Sequence, residues 1–228
     1  MRTKICEMID SYRDNMLEDL RGLIAIPSIS SDIPKVREAL NYSLDLGRRM
    51  GFDSYSVLDE QVGLIELGDG NETLGILTHV DVVPPGDAED WDTPPFEMVI
   101  KNGRAYGRGT IDDKGMIIAS LYAMKAVKEL GVPIYKKTQL ILGTQEEVEW
   151  TDMNEYVLRY PLPDYGFTPD GEYPTCNIEK GILDMTISFD VKEESVPVLP
   201  YIESCNIGVA ANTVPGKASC TLSNGSTC

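Results

Sequence analysis

His79 is the only histidine among the 228 residues, and it stands where the apolar run Ile76–Thr78 meets a His-x-Asp pattern that ends on Asp81. If His79 binds a metal ion, every further protein ligand must be a carboxylate or a thiolate, because the chain holds no second imidazole. A neutral imidazole combined with carboxylates suits zinc, cobalt or manganese. Asp81 lies on the same face of an extended segment and can orient the imidazole through its far nitrogen.

Three further acidic positions are candidates for the same site: Asp112, the pair Glu146-Glu147, and Asp170. Each stands at the end of a predicted strand or in a loop that leaves one. Ligands of an open parallel sheet collect beyond the carboxyl ends of its strands. We therefore expect these groups to converge with His79 on one cleft.

Each of these motifs, taken alone, also has a simpler interpretation. A histidine at a strand end can be one that simply bonds to solvent or backbone and has no functional role. Two adjacent glutamates can be solvated surface charge. Asp112-Asp113 is also the pattern of a helix N-cap with an acidic first turn, and Asp170-Gly171 is also that of a turn. Asp152 adds to the negative charge beside the glutamates, which a cation would relieve.

Hydrophobic periodicity predicts the elements that position these residues. Helices are predicted over residues 5–20, 32–51, 112–131 and 152–160, strands over 55–58, 62–67, 74–78, 139–143 and 166–170, and a hairpin over 96–106. The order strand, helix, strand across residues 74–143 predicts a βαβ crossover. We expect an α/β fold with a mixed, largely parallel sheet flanked by helices.

The pattern changes after Gly181. Apolar and polar residues alternate from Leu183 to Asp190, which predicts an antiparallel strand with one solvent-exposed face. This change predicts a first domain over residues 1–180 and the start of a second, α+β domain over 181–228. Because residues 222–228 carry no terminating signal, we expect the chain to stop inside the second domain.

Composition limits the partners and the compartment. The formal net charge of −17 disfavours nucleic acid and anionic membrane surfaces as partners. The five cysteines form an odd set without ligand spacing, and the first residues lack an apolar signal core. No apolar run reaches the ~18 to 20 residues that a membrane helix requires. We expect a soluble, cytoplasmic protein, and the sequence leaves its oligomeric state open.

The motifs together resemble those of the M20 family of metallopeptidases in order and separation. They are His79-x-Asp81, Tyr106–Gly115, Gly143–Glu147, Thr168–Pro174, Glu179–Gly181 and Gly208–Gly216. Within the family the chain looks most like the bacterial cytoplasmic dipeptidases of the PepV-like branch. The resemblance implies a catalytic domain of the zinc-exopeptidase type, an incomplete lid domain, and hydrolysis of dipeptides.

The resemblance also implies a ligand set for two zinc ions, for which cobalt or manganese can substitute. Asp112 would bridge both ions. His79 and Asp170 would complete the first metal site, and Glu147 would bind the second ion.

Two residues beside these ligands would have catalytic roles in such a site. Glu146 would be the general base that takes a proton from a metal-bridging water. Asp81 would hold His79 in place. The peptide bond between Asp112 and Asp113 is implied to be cis.

The chain departs from the family pattern in one respect. The family completes its second metal site with a histidine from beyond the lid and commonly uses a lid histidine at the oxyanion, and this chain has neither. We therefore expect one metal ion to bind and hydrolysis by this chain alone to be weak or absent. An N-acyl amino acid or acyl-diamine deacylase is the alternative that keeps the mechanism, and a non-catalytic binding module is the alternative of another class.

Overall fold

A computed structural model describes residues 2–171, 176–178, 180, 181, 183, 185–188, 201–208 and 215–223. The chain forms two compact units, Met1–Thr175 and Cys176–Cys228. The candidate residues of the sequence analysis all lie in the first unit. The domain boundary near residue 180 stays a prediction.

The first unit alternates helices and strands along the chain. Its elements are α1 (Arg2–Ser11), α2 (Arg13–Ile24), α3 (Ile33–Arg49), β1 (Asp53–Val57), β2 (Val62–Leu67), β3 (Thr73–His79), a 3-10 turn (Ala88–Asp90), β4 (Val99–Lys101), β5 (Arg104–Tyr106), α4 (Lys114–Glu129), β6 (Lys137–Gly143), α5 (Thr151–Arg159) and β7 (Tyr165–Phe167). The prediction of a single helix over residues 5–20 is wrong, because the chain breaks at Tyr12. There the amide donates to the carbonyl of Ile9, three residues back, at 3.0 Å, which is a tighter turn than an α-helix makes.

Local signals account for the other element boundaries. Asp32 begins α3 as its N-cap, and its carboxylate accepts a hydrogen bond from the Lys35 amide at 3.2 Å. Gly51 follows the helix with φ +74°, a conformation that favours glycine. Asn102 and Gly103, at φ +53° and +74°, form the tight turn between β4 and β5, as predicted.

Five strands form the central sheet in the order β1-β2-β6-β3-β7. Strand β3 pairs in parallel with both β6 and β7, whereas β2 pairs antiparallel with β1 and β6. Four of the five strands therefore run in one direction, and the predicted mixed, largely parallel sheet is confirmed. Helix α4 connects the parallel neighbours β3 and β6, which confirms the βαβ crossover.

The register of the sheet brings its functional ends together. His79, the last residue of β3, pairs with Gly143, the last residue of β6. Phe167, the last residue of β7, pairs with Ile76 of β3. The segments that carry Glu146 and Asp170 therefore leave the sheet at the same edge as His79.

Helices cover both faces of the sheet. The larger core packs α2, α3 and α4 against one face, with Leu23, Leu40, Leu44, Ile65, Ile117, Leu121, Leu140 and Leu142 all fully buried. On the other face, Met153 and Tyr156 of α5 pack against Val62, Leu64 and Ile141. The burial of these apolar side chains is the main force that holds the strand ends in place.

Lys114, the first residue of α4, is fully buried. Its ammonium donates to the carbonyls of Leu23 and Ile26, at 3.0 and 2.7 Å, where the negative end of the α2 dipole lies. Burial lowers the pKa of Lys114 to about 7, against the charge of Asp81, which raises it. A Cβ at Gly109, which has φ +91°, would lie 2.9 Å from the Lys114 side chain, so this lysine also requires the glycine. Lys114 thus ties the start of α4 to the end of α2.

The second unit contains a described hairpin, β8 (Tyr201–Ile207) and β9 (Ala218–Ser223), which pair antiparallel. Cys205 and Cys220 face each other on this hairpin and form a disulfide. The cysteine count and spacing did not anticipate this pairing.

Several sequence motifs fall wholly or partly outside the described residues. Within the strand predicted over 183–190, residues 183 and 185–188 are described and carry no strand pairing. The remainder of that strand lies outside the described residues, as do Glu172–Pro174, Glu179 and residues 209–214 of the predicted motifs. Among the helices described, none is long and apolar enough to cross a membrane.

Replacing Lys114 by methionine will destabilise the fold. The substitution removes the two charge-assisted hydrogen bonds that the buried ammonium donates to the carbonyls of Leu23 and Ile26, at a cost of roughly 2 to 4 kcal/mol in the free energy of unfolding. Urea unfolding followed by circular dichroism measures the loss. The control is Lys101→Met, at an exposed lysine that ends β4, and equal unfolding midpoints for the two variants would contradict the anchoring role.

Candidate metal centre

The imidazole of His79 is 2% exposed, and its Nε2 atom faces carboxylates. The distance from Nε2 is 3.0 Å to Oδ1 of Asp112, 3.4 Å to Oδ2 of Asp170 and 3.8 Å to Oε2 of Glu146. These residues come from separate loops at one edge of the sheet. The convergence expected from the topology is therefore observed for these candidates.

The other ring nitrogen of His79 is held by Asp81. Nδ1 lies 3.0 Å from the backbone oxygen of Asp81 and 3.3 Å from its Oδ1 atom. Both neighbours are acceptors, so Nδ1 carries the proton and donates it. Nε2 is thereby turned toward the acidic cleft, which is the orientation a metal ligand needs.

The charges around His79 change its proton affinity. Burial alone would lower the pKa of the imidazole, but hydrogen bonds to Asp112 and Asp170, and then to Asp81, raise it far above its ordinary value. Without a cation, His79 therefore holds a proton on Nε2 that a metal ion would displace. The proton and the metal compete for the same position.

Asp81 is fully buried and links three segments of the chain. Its carboxylate accepts a hydrogen bond from Oγ of Ser30 at 2.7 Å and from the backbone amides of Glu146 and Glu147, each at 3.2 Å. Burial alone would raise the pKa of Asp81, but the hydrogen bond and charge of His79 lower it, together with the bonds from Ser30 and Glu147. The group is therefore ionised.

The described side chains include one group of three that can hold a cation. Ligand atoms of His79, Glu146 and Asp170 all lie within 4.8 Å of one another. An imidazole with two carboxylates is a donor set that zinc and related ions accept, so the site fits one ion. Asp112 joins this group through its contact with His79, and its side chain is 55% exposed.

The structure differs in one respect from the roles predicted for Glu146 and Glu147. Glu146, predicted as the general base, is the glutamate that lies in the group of three, whereas Glu147, predicted as a ligand, is outside it. Burial, and then the charge of Asp112, raise the pKa of Glu147 to about 7. Glu147 thus stands close to the acidic cleft, and its role as second-site ligand stays a prediction.

Asp113 contributes a contact that the sequence analysis did not identify. Its Oδ2 atom accepts a hydrogen bond from the backbone amide of His79 at 3.1 Å, and its Oδ1 atom is buried with no partner among the described residues. Burial raises the pKa of Asp113 to about 8. The peptide bond between Asp112 and Asp113 is cis, as the resemblance implies.

Ser30 is a second residue that the sequence analysis missed. It lies in the loop between α2 and α3, which is joined to the end of β3 by a bridge between Ile29 and Val82 and by a hydrogen bond from Ser28 Oγ to the Val80 carbonyl at 2.7 Å. A serine in an Ile-Pro-Ser-Ile-Ser segment carries no chemical signal by itself. Its importance follows from a contact 51 residues along the chain.

Replacing Asp81 by asparagine will weaken metal binding. An asparagine can accept with only one of its two terminal atoms, so in either orientation it loses one amide of the glutamate pair, and with its NH2 group at the Oδ1 position it also loses the side-chain contact with His79. We expect zinc affinity to fall about 10- to 100-fold, as for other residues that hold a metal ligand. Competition with a chromophoric chelator measures the affinity. Asp69→Asn, in an exposed turn after β2, is the control, and equal affinities would refute the role of Asp81.

Known proteins resemble this chain in sequence. A sequence profile of "Peptidase family M20/M25/M40" matches residues 75–206, which are more than half of the chain. A candidate dipeptidase of Staphylococcus epidermidis is 42% identical over 199 residues, covering 83% of this chain and 41% of that protein. YtjP of Bacillus subtilis, also a candidate dipeptidase, is 35% identical over 219 residues, covering 92% of this chain and 47% of that protein. The chain thus spans less than half the length of these relatives.

Solved structures resemble it as well. Human carnosine dipeptidase 1 superimposes with a TM-score of 0.62 and 26% identity, covering 69% of this chain and 37% of that one. The di-peptidase Dug1p of Saccharomyces cerevisiae has a TM-score of 0.61 and 25% identity, covering 68% and 37% of the respective chains. The M20 family metallo-carboxypeptidase Sso-CP2 of Sulfolobus solfataricus has a TM-score of 0.60 and 26% identity. The α/β fold and the motifs around His79 agree with these similarities. The chain belongs to the M20/M25/M40 family of peptidases.

Proposed function

We propose that the protein is a metal-dependent dipeptidase in which Glu146 is the general base. The observation that carries the proposal is the orientation of His79. Its Nδ1 is bonded to Asp81, and its Nε2 faces the carboxylates of Asp112, Asp170 and Glu146. The names of the bacterial relatives and of the human and yeast structures support dipeptides as the substrates.

The proposed metal is zinc. His79, Asp112 and Asp170 would hold one ion, and Asp112 and Glu147 would bind a second. A bound divalent ion would polarise the scissile carbonyl and lower the pKa of the attacking water. One such ion is supported by the closeness of His79 and Asp170 in the group of three and by the contact of Asp112 with His79 Nε2. The second ion rests on the family resemblance and on the position of Glu147 beside the acidic cleft.

Glu146 is suited to move the proton. Burial raises its pKa above the ordinary value, while the charge of His79 opposes this shift. A carboxylate with a raised pKa takes a proton from water more readily and then donates it to the departing amine. Asp81 bonds both His79 Nδ1 and the Glu146 amide, so it fixes the base relative to the metal ligand.

We also propose that the protein acts in the cytoplasm. The odd number of cysteines, which lack metal-ligand spacing, supports this location. The disulfide between Cys205 and Cys220 is evidence on the other side, because reducing compartments disfavour such bonds.

Replacing Glu146 by glutamine will distinguish the role of general base from that of metal ligand. The experiment uses the product of the complete gene, loaded with zinc. We expect the variant to keep its metal and its kcat for dipeptide hydrolysis to fall about 10²- to 10⁴-fold. Metal content by mass spectrometry and rates on a dipeptide panel measure the two effects. The matched control is Glu149→Gln, at an exposed glutamate three residues away.

Three outcomes would contradict this proposal. Loss of zinc from the Glu146 variant would make Glu146 a ligand, as its position in the group of three permits. Faster cleavage of N-acetyl amino acids than of dipeptides by the unmodified protein would indicate a deacylase. Dipeptide binding without turnover would indicate a binding module.

A further inference from the structure

Four consecutive backbone amides bind two buried carboxylates at the end of β6. The amides of Thr144 and Gln145 donate to Oδ2 of Asp152, at 2.6 and 3.2 Å. The amides of the next two residues, Glu146 and Glu147, donate to the carboxylate of Asp81. The segment that carries Glu146 and Glu147 is therefore held at both ends by ionisable side chains.

Asp152 has surroundings that favour this use. It is 1% exposed, and its Oδ1 atom accepts from the amide of Met153 at 2.7 Å. The hydroxyl of Thr144 lies 3.4 Å from Oδ2 and donates to the carbonyl of Gln61 at 2.7 Å. Three backbone amides thus donate to the Asp152 carboxylate, and two of them belong to Thr144 and Gln145, which directly precede Glu146.

The position of Asp152 in the helix has a simpler interpretation, which the contacts do not favour. An aspartate in the first turn of a helix ordinarily caps the free amides of its own helix or interacts with the helix dipole. Asp152 directs Oδ2 away from α5 toward the end of β6, and only Oδ1 bonds within the helix. Its carboxylate therefore connects two elements.

The segment between β6 and α5 forms one turn through its own hydrogen bonds, and other bonds must fix its position on the sheet. The carbonyl of Gln145 accepts from the amides of Val148 and Trp150, at 3.3 and 3.1 Å, and so closes a turn. Those bonds shape the turn but do not fix its position on the sheet. The bonds to Asp152 and Asp81 do this, because Asp152 belongs to α5 and Asp81 lies between the fully buried residues Val80 and Val82, directly after β3.

We propose that Asp152 is a positioning residue that fixes the backbone of Thr144 and Gln145 and thereby directs Glu146 and Glu147 toward His79. Asp81 fixes the second half of the same segment. The hold on the backbone is a property of the fold, whereas its consequence for metal binding rests on the proposed function. The two parts can be tested separately.

Amide hydrogen exchange on the metal-free, 228-residue chain tests the hold on the backbone. In the unmodified chain we expect the amides of residues 144–147 to be protected, although they lie outside a helix or strand. Asp152→Asn should speed their exchange at least about tenfold, because a neutral amide is a weaker acceptor than a carboxylate. Exchange in β6, over residues 138–142, should stay within twofold of the unmodified chain.

The control is Glu155→Gln, on the same helix, where the exposed Glu155 pairs with Arg159 at 2.6 Å. It should leave exchange at residues 144–147 unchanged. Absence of protection in the unmodified chain overturns the proposal even if the Asp152 variant does not fold. An equal acceleration across β6 and the segment also overturns it, because that result indicates only a global loss of stability.

Zinc affinity, measured by competition with a chelator, tests the consequence. We expect Asp152→Asn to weaken binding about 10- to 100-fold at unchanged stoichiometry, with no change for Glu155→Gln. Faster exchange with unchanged affinity overturns the claim that Asp152 directs the glutamates. If the unmodified chain binds no zinc, the proposed function fails, whereas the exchange result still decides whether Asp152 holds the segment.

Discussion

The buried carboxylate of Asp81 accepts hydrogen bonds from an imidazole, a serine hydroxyl and two backbone amides, and these donors come from three segments of the chain. An ion of this kind is costly to bury unless donors compensate for the lost water. Here the donors are His79, Ser30 and the amides of the glutamate pair. The same bonds that make the charge tolerable also determine where His79 and the proposed base lie, so the stability of the fold and the proposed chemistry depend on one group.

Two aspartates that both contact His79 show how strongly the surroundings decide proton affinity. Asp81 has a lowered pKa because donors surround it, whereas Asp113 has a pKa of about 8 because burial is opposed by few donors. At neutral pH the first is ionised and the second is mostly protonated. Lys114, next along the chain, bonds to two carbonyls at the end of α2. The adjacent residues Asp113 and Lys114 thus have separate tasks, one at the backbone amide of His79 and the other at the end of α2.

Much of the fold could be predicted because its signals are local. The Asp32 cap, the Asn102-Gly103 turn and the alternation of strand and helix each depend on residues close together in sequence. The break at Tyr12 could not be predicted, because the helical spacing of apolar residues continues across it. Within the site, the sequence indicated His79, Asp81, Asp112 and Asp170 by residue type and by their places at strand ends. Ser30 and Asp152 carried no such signal, since their roles come from partners in other elements.

The sequence by itself determined which chemical groups are available: one imidazole, several carboxylates at predicted strand ends, and motifs that together resemble one peptidase family. Only the tertiary structure decided how these groups are arranged. The register of β3 and β6 places His79 beside the segment of Glu146 and Glu147, and the fold turns Asp152 inward from a position that the sequence indicated only as added charge. The physical reason is that residue type determines what a side chain can bind, whereas burial and packing between distant segments determine which partner it meets.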